Sequence, residues 1–168
     1  MKQRNYLHYG CIIAALWLLL ASCGTESAYY QKQQAIPGAQ WNYKFQPAFK
    51  IDITDTHARH RFYLLLRHDE SYANSNFWFR MKIKAPGAKT FTDGPRIEVE
   101  LADAKGEWQG RGMGGIWEHK IAIPDSNVPK LDKSGTYEIK LEQIMRDTVL
   151  TSVLNVGLII EKLSQPVK

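Results

Sequence analysis

Cysteine is scarce in this 168-residue chain, and its two cysteines, Cys11 and Cys23, both lie near the N-terminus. No disulfide is therefore available within residues 24–168, and thiol redox or cysteine–metal chemistry is excluded there. A domain built from these residues must be stabilised by core packing. A chain of this size buries about 68–70% of its unfolded surface, which is enough for a single self-sufficient core.

Basic clusters and common catalytic motifs are also missing. Removing Lys2 and Arg4 leaves 20 basic against 17 acidic residues, an excess of only +3, and no Lys/Arg run remains. This pattern argues against nucleic-acid binding. The sequence contains no Gly-x-Ser-x-Gly nucleophile motif, no phosphate-binding loop with its Lys-Ser/Thr, and no His-Glu-x-x-His zinc motif.

The N-terminal segment has the three parts of a secretory signal. Lys2 and Arg4 precede the apolar run Cys11–Leu20, which is much shorter than the ~20 residues of a spanning helix. The sequence Leu20-Ala21-Ser22-Cys23 follows and resembles the lipobox of bacterial lipoproteins. That resemblance implies cleavage before Cys23 and acylation of Cys23, so that several fatty chains, palmitate among them, anchor the protein. The alternative is an ordinary signal peptide with Cys23 as a free thiol.

The remaining chain divides at the end of a polar stretch. We predict a signal peptide over residues 1–22, an acylated Cys23 with a linker over 23–35, and one domain over 36–168. Tyr29 and Tyr30 in the linker are expected to dock on the domain, and the alternative is a position at the lipid headgroups. From residue 36 onward, apolar and polar residues alternate, which is typical of half-buried strands. About eight such runs, separated by turn signals such as Asp93-Gly94-Pro95 and Ser134-Gly135, predict an antiparallel β-sandwich, of which a jelly roll is one form.

Histidines and paired acids are the first candidates for chemistry, and both favour a structural interpretation. His57, His60 and His68 lie near predicted strand ends, but polar loops commonly carry histidine and the motif of a zinc enzyme is absent. Glu98 and Glu100 share the polar face of one predicted strand, where charge is normally solvated. We therefore predict no catalytic residue, metal or other cofactor. Gln143 and Arg146, at the end of a predicted strand, are expected to satisfy nearby buried carbonyl groups.

Tryptophans out of phase with the core are the better candidates for binding. Trp78 alternates against Phe77 and Phe79, Trp108 adjoins a turn, and Trp117 is expected to point opposite Ile116. Exposed aromatic residues mark surfaces that bind proteins or sugar rings, and the alternative is that both faces of the sheet are covered at these tryptophans. Glycines alternate nearby and permit a close approach by another backbone. The candidate partner-binding surface comprises Trp78, Trp108, Trp117, Gly110, Gly112 and Gly114.

Three blocks of sequence carry a resemblance to a known family. They are Leu101–Lys120, which contains Ala-Asp-x-x-Gly-x-Trp-x-Gly-x-Gly, Ser134–Arg146 with the later Val156-Gly157, and Leu66–Asn76. Together with the lipobox, these blocks resemble the GldH family of gliding-motility lipoproteins of Bacteroidota over nearly the whole chain. The resemblance implies a non-enzymatic accessory of gliding motility and its associated secretion apparatus, and it transfers no catalytic residue.

The expected location and partners follow from the lipid and the resemblance. We expect the protein at the outer membrane, anchored through Cys23 and in contact with other envelope proteins of that machinery. Surface-displayed lipoproteins of Bacteroidota resemble one another in an acidic cluster after the cysteine, whereas only Glu26 is present here, which favours the periplasmic side. The alternative function is a carbohydrate-binding envelope lipoprotein that uses exposed tryptophans, and a hydrolase is the third class.

Overall fold

The computed structural model describes residues 30–163, and these residues form a nearly all-β domain. The predicted signal peptide and Cys23 lie outside the described residues. The strands are β1 (Tyr30–Ala35), β2 (Gln40–Asn42), β3 (Ala48–Ile53), β4 (Arg59–Asp69), β5 (Asn76–Lys84), β6 (Thr92–Glu100), β7 (Arg111–Met113), β8 (Ile116–Ala122), β9 (Gly135–Gln143), β10 (Val149–Thr151) and β11 (Val153–Leu163). Two short 3₁₀ turns, Pro37–Ala39 and Asp125–Asn127, lie in the connections.

Two antiparallel sheets form the sandwich, which confirms the predicted fold class. One sheet has five strands in the order β1-β11-β4-β8-β7, and the other has four in the order β3-β9-β5-β6. Strands β2 and β10 form a separate short pair. The alternation seen in the sequence is the cause: Phe77, Phe79 and Met81 of β5 are fully buried, whereas Trp78 and Arg80 between them face outward.

The core lies between the sheets and is rich in aromatic and branched side chains. Strand β4 contributes Phe62, Leu64 and Leu66, and β11 contributes Val156, Leu158 and Ile160. Trp41 is completely buried, packs against Phe77 with ring centroids 5.4 Å apart, and donates its indole N–H to the Phe45 carbonyl at 2.8 Å. A buried indole needs such an acceptor, because an unpaired polar group in the core is costly.

The linker prediction requires a correction at its end. Residues 30–35 form β1, which pairs with β11 over six residues from Tyr30–Ile160 to Ala35–Asn155. Gly157 of β11 makes this possible, because a side chain there would collide with the Lys32 carbonyl oxygen. As expected, Tyr30 docks on the domain by packing against the core, whereas Tyr29 lies outside the described residues. The domain therefore includes residues 30–35 and does not begin at residue 36.

The strand directions define two ends of the sandwich. The Tyr30 end carries Tyr30, Phe62 and Ile160, which are register neighbours in the five-stranded sheet. The His68 end carries His68, Trp117 and Val153, which are register neighbours at the other end of the same strands. The connection 70–75 leads from the end of β4 to the start of β5, so Asn76 and Trp78 also lie at the His68 end.

Candidate functional site

Two histidines form the centre of a closed group of rings at the His68 end. His68 is 0% exposed and His119 2% exposed, and their Nε2 atoms are 2.9 Å apart. The Nδ1 of His68 lies 2.7 Å from the Asp69 carbonyl oxygen, which can only accept a hydrogen bond. Nδ1 of His68 therefore carries its proton, and Nε2 of His119 donates to Nε2 of His68.

Trp108 and Tyr72 complete this group, which we call the histidine cluster. The ring of Trp108 meets that of His68 edge-on with centroids 4.4 Å apart, and Tyr72 lies 5.0 Å from His68. The Tyr72 hydroxyl donates to the Asn76 carbonyl at 3.1 Å, which links the cluster to the start of β5. Trp108 is half-buried and packs against the core. Its ring is thus engaged with residues of its own chain.

Both histidines are neutral at pH 7. Burial lowers the pKa of His68, and the Asp69 carbonyl offsets part of this effect. Burial, followed by the proximity of His68, lowers the pKa of His119 to about 4. The pair is closed to solvent and uncharged at pH 7, so its geometry suits a structural role.

The alternating glycines make room for rings of the neighbouring strand. A Cβ at Gly110 would lie 2.7 Å from the Glu118 carbonyl oxygen and 2.9 Å from Nε2 of His119. A Cβ at Gly112 would lie 2.8 Å from the ring of Trp117. Gly112 and Trp117 are register partners between β7 and β8. The approaching groups come from this chain: at Gly110 they include a backbone carbonyl, as the spacing predicted, whereas at Gly112 the group is a side-chain ring.

Gly114 has a different role, in the turn of the β7–β8 hairpin. Gly114 and Gly115 have φ values of 59° and 76°, the combination that a two-residue type I′ turn requires. The turn leaves Met113 beside it 87% exposed. The Glu70 N–H donates to the Gly115 carbonyl at 3.0 Å and fixes the hairpin to the end of β4. A held, exposed methionine is a suitable contact for a protein partner.

Trp78 lies apart from the other two candidate tryptophans, on the outer face of the four-stranded sheet. It is half-buried and borders an open pocket of about 500 Å³, which we call the Trp78 pocket. The guanidinium carbon of Arg96 lies 5.5 Å from the Trp78 ring centroid. Besides Trp78, the pocket is lined by Asn74, Asn76, Arg96 and the loop residues Ile144, Met145, Arg146 and Asp147. The structure therefore separates the predicted surface into two parts.

Gln143 performs the role that the sequence predicted, whereas Arg146 is exposed in the loop after β9. It is 1% exposed, and its amide nitrogen approaches the carbonyl oxygens of Trp41, Asp147 and Thr148 at 3.2–3.4 Å. Its amide oxygen accepts the Met145 N–H at 3.0 Å. Gln143 thus holds the loop that forms one wall of the Trp78 pocket. The sequence signal was a polar residue in phase with the buried side chains of β9.

The other polar candidates do not converge. His60 and His68 lie eight residues apart in β4, a separation of about 26 Å along the strand. His57 lies beyond the His60 side of that strand, and within residues 30–163 no three His, Cys, Asp or Glu side chains are grouped as metal ligands. Glu98 and Glu100 are exposed on β6, where Glu98 accepts the Asn76 amide at 2.7 Å.

Fold and site together define an antiparallel β-sandwich with a rigid glycine hairpin and a polar aromatic pocket at one end. The family model of the GldH lipoprotein matches residues 28–160, and the chain belongs to the GldH lipoprotein family. No helix among residues 30–163 is long and apolar enough to cross a membrane.

Two curated relatives agree with the family. A gliding motility lipoprotein GldH homolog of Christiangramia forsetii is 28% identical over 152 residues, which are 86% of this chain and 90% of the relative. Gliding motility lipoprotein GldH of Flavobacterium johnsoniae is 22% identical, over 86% of this chain and 91% of its own. Among solved structures, a non-crystalline cellulose specific carbohydrate-binding module covers 80% of this chain and 73% of its own at 7% identity, with a TM-score of 0.47. This last likeness is too low to carry an argument.

Proposed function

We propose that this protein is a lipid-anchored, non-enzymatic binding module of the gliding-motility machinery and its associated secretion apparatus. The observation that carries the proposal is the family match over residues 28–160 behind a lipobox-like Leu20-Ala21-Ser22-Cys23. In this proposal the signal peptide 1–22 is removed and Cys23 holds the protein at the outer membrane, facing the periplasm. Several acyl chains on one residue give a far more stable anchor than a single chain.

The short connection between Cys23 and the domain supports a fixed orientation. β1 begins at Tyr30, seven residues after Cys23, so the connection spans at most about 25 Å when fully extended. An anchored Cys23 would hold the Tyr30 end close to the bilayer. The His68 end lies about 20 Å farther along the strands, since six residues separate Phe62 from His68 in β4. The module would then present its His68 end away from the membrane.

The His68 end is also where the candidate binding residues lie. Met113 is exposed there on a hairpin that Gly114, Gly115 and Glu70 hold in place, and Trp117 lies behind it on β8. A partner would dock on this hairpin without ordering it first, which lowers the cost of binding. Confinement at one membrane raises the effective concentration of both proteins, so a small contact suffices.

The anchor is tested by intact mass spectrometry of the full chain expressed in a bacterium that processes lipoproteins. We expect a polypeptide that starts at Cys23 and carries diacylglycerol and an N-acyl chain, in the outer-membrane fraction. The matched Cys23→Ser variant should lack the lipid and leave that fraction. A wild-type protein that begins elsewhere without lipid would refute the anchor.

Docking is tested by cross-linking in the native membrane, followed by mass spectrometry of the captured proteins. We expect envelope proteins of the motility or secretion machinery, with at least tenfold lower recovery for Met113→Asp. Ala88→Asp is the control, because Ala88 is exposed in the turn after β5 at the opposite end. Equal recovery from both variants would move the docking surface away from the hairpin.

A further inference from the structure

The Trp78 pocket is built by two elements that hold each other in place. The Ile144 N–H donates to the Trp78 carbonyl at 3.0 Å, and the Trp78 N–H lies 3.1 Å from the Met145 sulfur. Gln143 fixes the same loop from inside, through the carbonyl groups of Asp147 and Thr148 and the N–H of Met145. The walls of the pocket therefore keep their shape without a ligand, and a preformed site loses less free energy on binding.

The lining combines one aromatic ring with planar polar groups. Trp78 supplies a half-buried indole, and Met145 adds an apolar side chain beside it. Around them stand the amides of Asn74 and Asn76 and the guanidinium of Arg96. An aromatic ring contacts flat C–H surfaces favourably, whereas amides and guanidinium groups offer paired hydrogen bonds. Such a lining fits a ligand with apolar ring faces and a rim of hydroxyl groups.

The charges around the pocket are balanced. The lining itself carries Arg96, Arg146 and Asp147, an excess of one positive charge, and this excess is offset by the carboxylate of Glu98, which accepts the Asn76 amide beside the lining. An anion-binding site would show an excess of arginine or lysine, and a cation site an excess of carboxylate. The balance instead favours a neutral ligand that both donates and accepts hydrogen bonds, as a hydroxyl group does.

We propose that the Trp78 pocket binds a neutral oligosaccharide, with Trp78 as the stacking platform and Asn74, Asn76 and Arg96 as hydrogen-bond partners. The volume of about 500 Å³ lies within the range of small-ligand sites. The site lies on the four-stranded sheet, whereas the Met113 hairpin extends from the five-stranded sheet. Saccharide binding is thus independent of the lipid on Cys23 and of docking at the hairpin.

The test is a binding titration of the full chain in detergent with cellohexaose, maltohexaose, chitohexaose and hexagalacturonic acid. We expect at least one neutral hexasaccharide to bind, with tryptophan fluorescence changed on binding. Trp78→Ala should weaken that binding at least tenfold, and Asn74→Ala, in the connection between β4 and β5, should weaken it measurably if the first variant folds poorly. Phe91→Ala is the matched control, since Phe91 is a half-buried ring at the other end of the same sheet, beneath Lys84 and Lys140.

Three results would overturn the proposal. They are no binding of any of the three neutral sugars by the folded wild-type protein, binding of the acidic sugar alone, and binding that Trp78→Ala and Asn74→Ala leave unchanged. Loss of a protein partner in Trp78→Ala without any sugar binding would assign the pocket to protein docking and equally refute it. None of these results depends on whether Cys23 carries lipid, so failure here is distinguishable from failure of the membrane anchor.

Discussion

Trp78 and Trp108 lie at the same end of the sandwich and are both half-buried, yet their surroundings differ. Trp108 meets two buried histidines and Tyr72, and each of those rings is itself fixed by a hydrogen bond or by close packing. Trp78 stands on an outer sheet face between Arg96 and a loop, and it borders an open pocket. The two half-buried rings thus differ in role, because a ring enclosed by its own chain stabilises the fold and a ring beside an open volume is available to a ligand.

The histidine cluster depends most on the glycine beside it, so the largest effect is expected at Gly110. Gly110→Ala would place a Cβ 2.7 Å from the Glu118 carbonyl oxygen, and two paired backbones cannot separate without losing hydrogen bonds. We expect a loss of about 3 kcal/mol in the free energy of unfolding, the upper part of the range for overpacking. Urea denaturation of the full chain, followed by tryptophan fluorescence, measures it.

Gly38→Ala is the control for this substitution. Gly38 has a φ of 61°, and a Cβ added there would have no atom within 4 Å. Alanine at this position therefore lowers the free energy of unfolding only by the cost of a left-handed backbone, about 1 kcal/mol. Equal losses for the two variants would mean that β7 moves away from β8 at little cost, and that the cluster is loosely packed.

Trp108→Ala should produce the next largest effect. The variant removes a ring whose centroid lies 4.4 Å from that of His68 and leaves a cavity beside Tyr72. Replacing a completely buried tryptophan by alanine lowers the free energy of unfolding by about 3–5 kcal/mol. For this half-buried ring we expect a loss of about 2–3 kcal/mol. Trp108→Phe should restore roughly half of the loss. A Trp108→Ala variant with wild-type stability would show that the ring does not support the cluster.

Acid should weaken the histidine cluster and leave the Trp78 pocket intact. The folded-state pKa of His119 is about 4, against 6.5 for an ordinary histidine, so the unfolded chain binds more protons between these values. The stability that the neutral His119 contributes is therefore fully present above pH 6.5, and it is lost as the pH is lowered from 6.5 towards 4. We expect the free energy of unfolding to fall by on the order of 2 kcal/mol. This loss is smaller than the shift in the His119 pKa implies, because the two histidines relax on protonation. Urea midpoints at about pH 7 and about pH 4.5 measure it.

The control replaces both histidines by leucine, since removing both partners leaves no unpaired nitrogen. Surface carboxylates also lose ion pairs in acid, but Asp55, Glu138 and Glu161 have pKa values below the ordinary carboxyl range because lysines bond to them. The stability that these carboxylates contribute is therefore lost at a lower pH than the stability that His119 contributes. If His68→Leu/His119→Leu shows the same loss between these two pH values as the wild type, the histidine pair is not its cause.

The alternation of apolar and polar residues predicted the longer amphipathic strands. Strands that depend on pairing with residues distant in the chain were missed. Phe77, Phe79 and Met81 predicted a half-buried strand because one side chain in two was apolar. Strand β1 was missed because Gln31 to Gln34 are polar on both faces, and only its pairing with β11 makes it a strand. Strands β7 and β10, of three residues each, are too short to show a period.

The candidate site follows the same rule. The spacing of Gly110 and Gly112 predicted a close approach by another backbone. The Glu118 carbonyl meets that prediction at Gly110, but the rings of His119 and Trp117 on the next strand are also close, and only the register identifies them. Trp108 could not be assigned from sequence, because its contact His68 lies 40 residues away in the chain. Gln143 was predictable, since a polar residue in phase with buried ones must satisfy other buried groups.

Trp78→Ala should give the smallest change in stability and thereby sharpens the contrast with Trp108. Both bonds that join Trp78 to the 144–148 loop are made by its backbone, so they remain when the ring is removed. Since the ring stands outside the core, we expect the free energy of unfolding to fall by less than about 1 kcal/mol. This is the energy of an exposed contact between a cation and an aromatic ring, such as that between Arg96 and Trp78. Phe91→Ala, measured beside it by urea denaturation, should lose a similar amount. A loss above that of Trp108→Ala would make Trp78 a structural residue, because a ring that the fold requires is not free to bind a ligand.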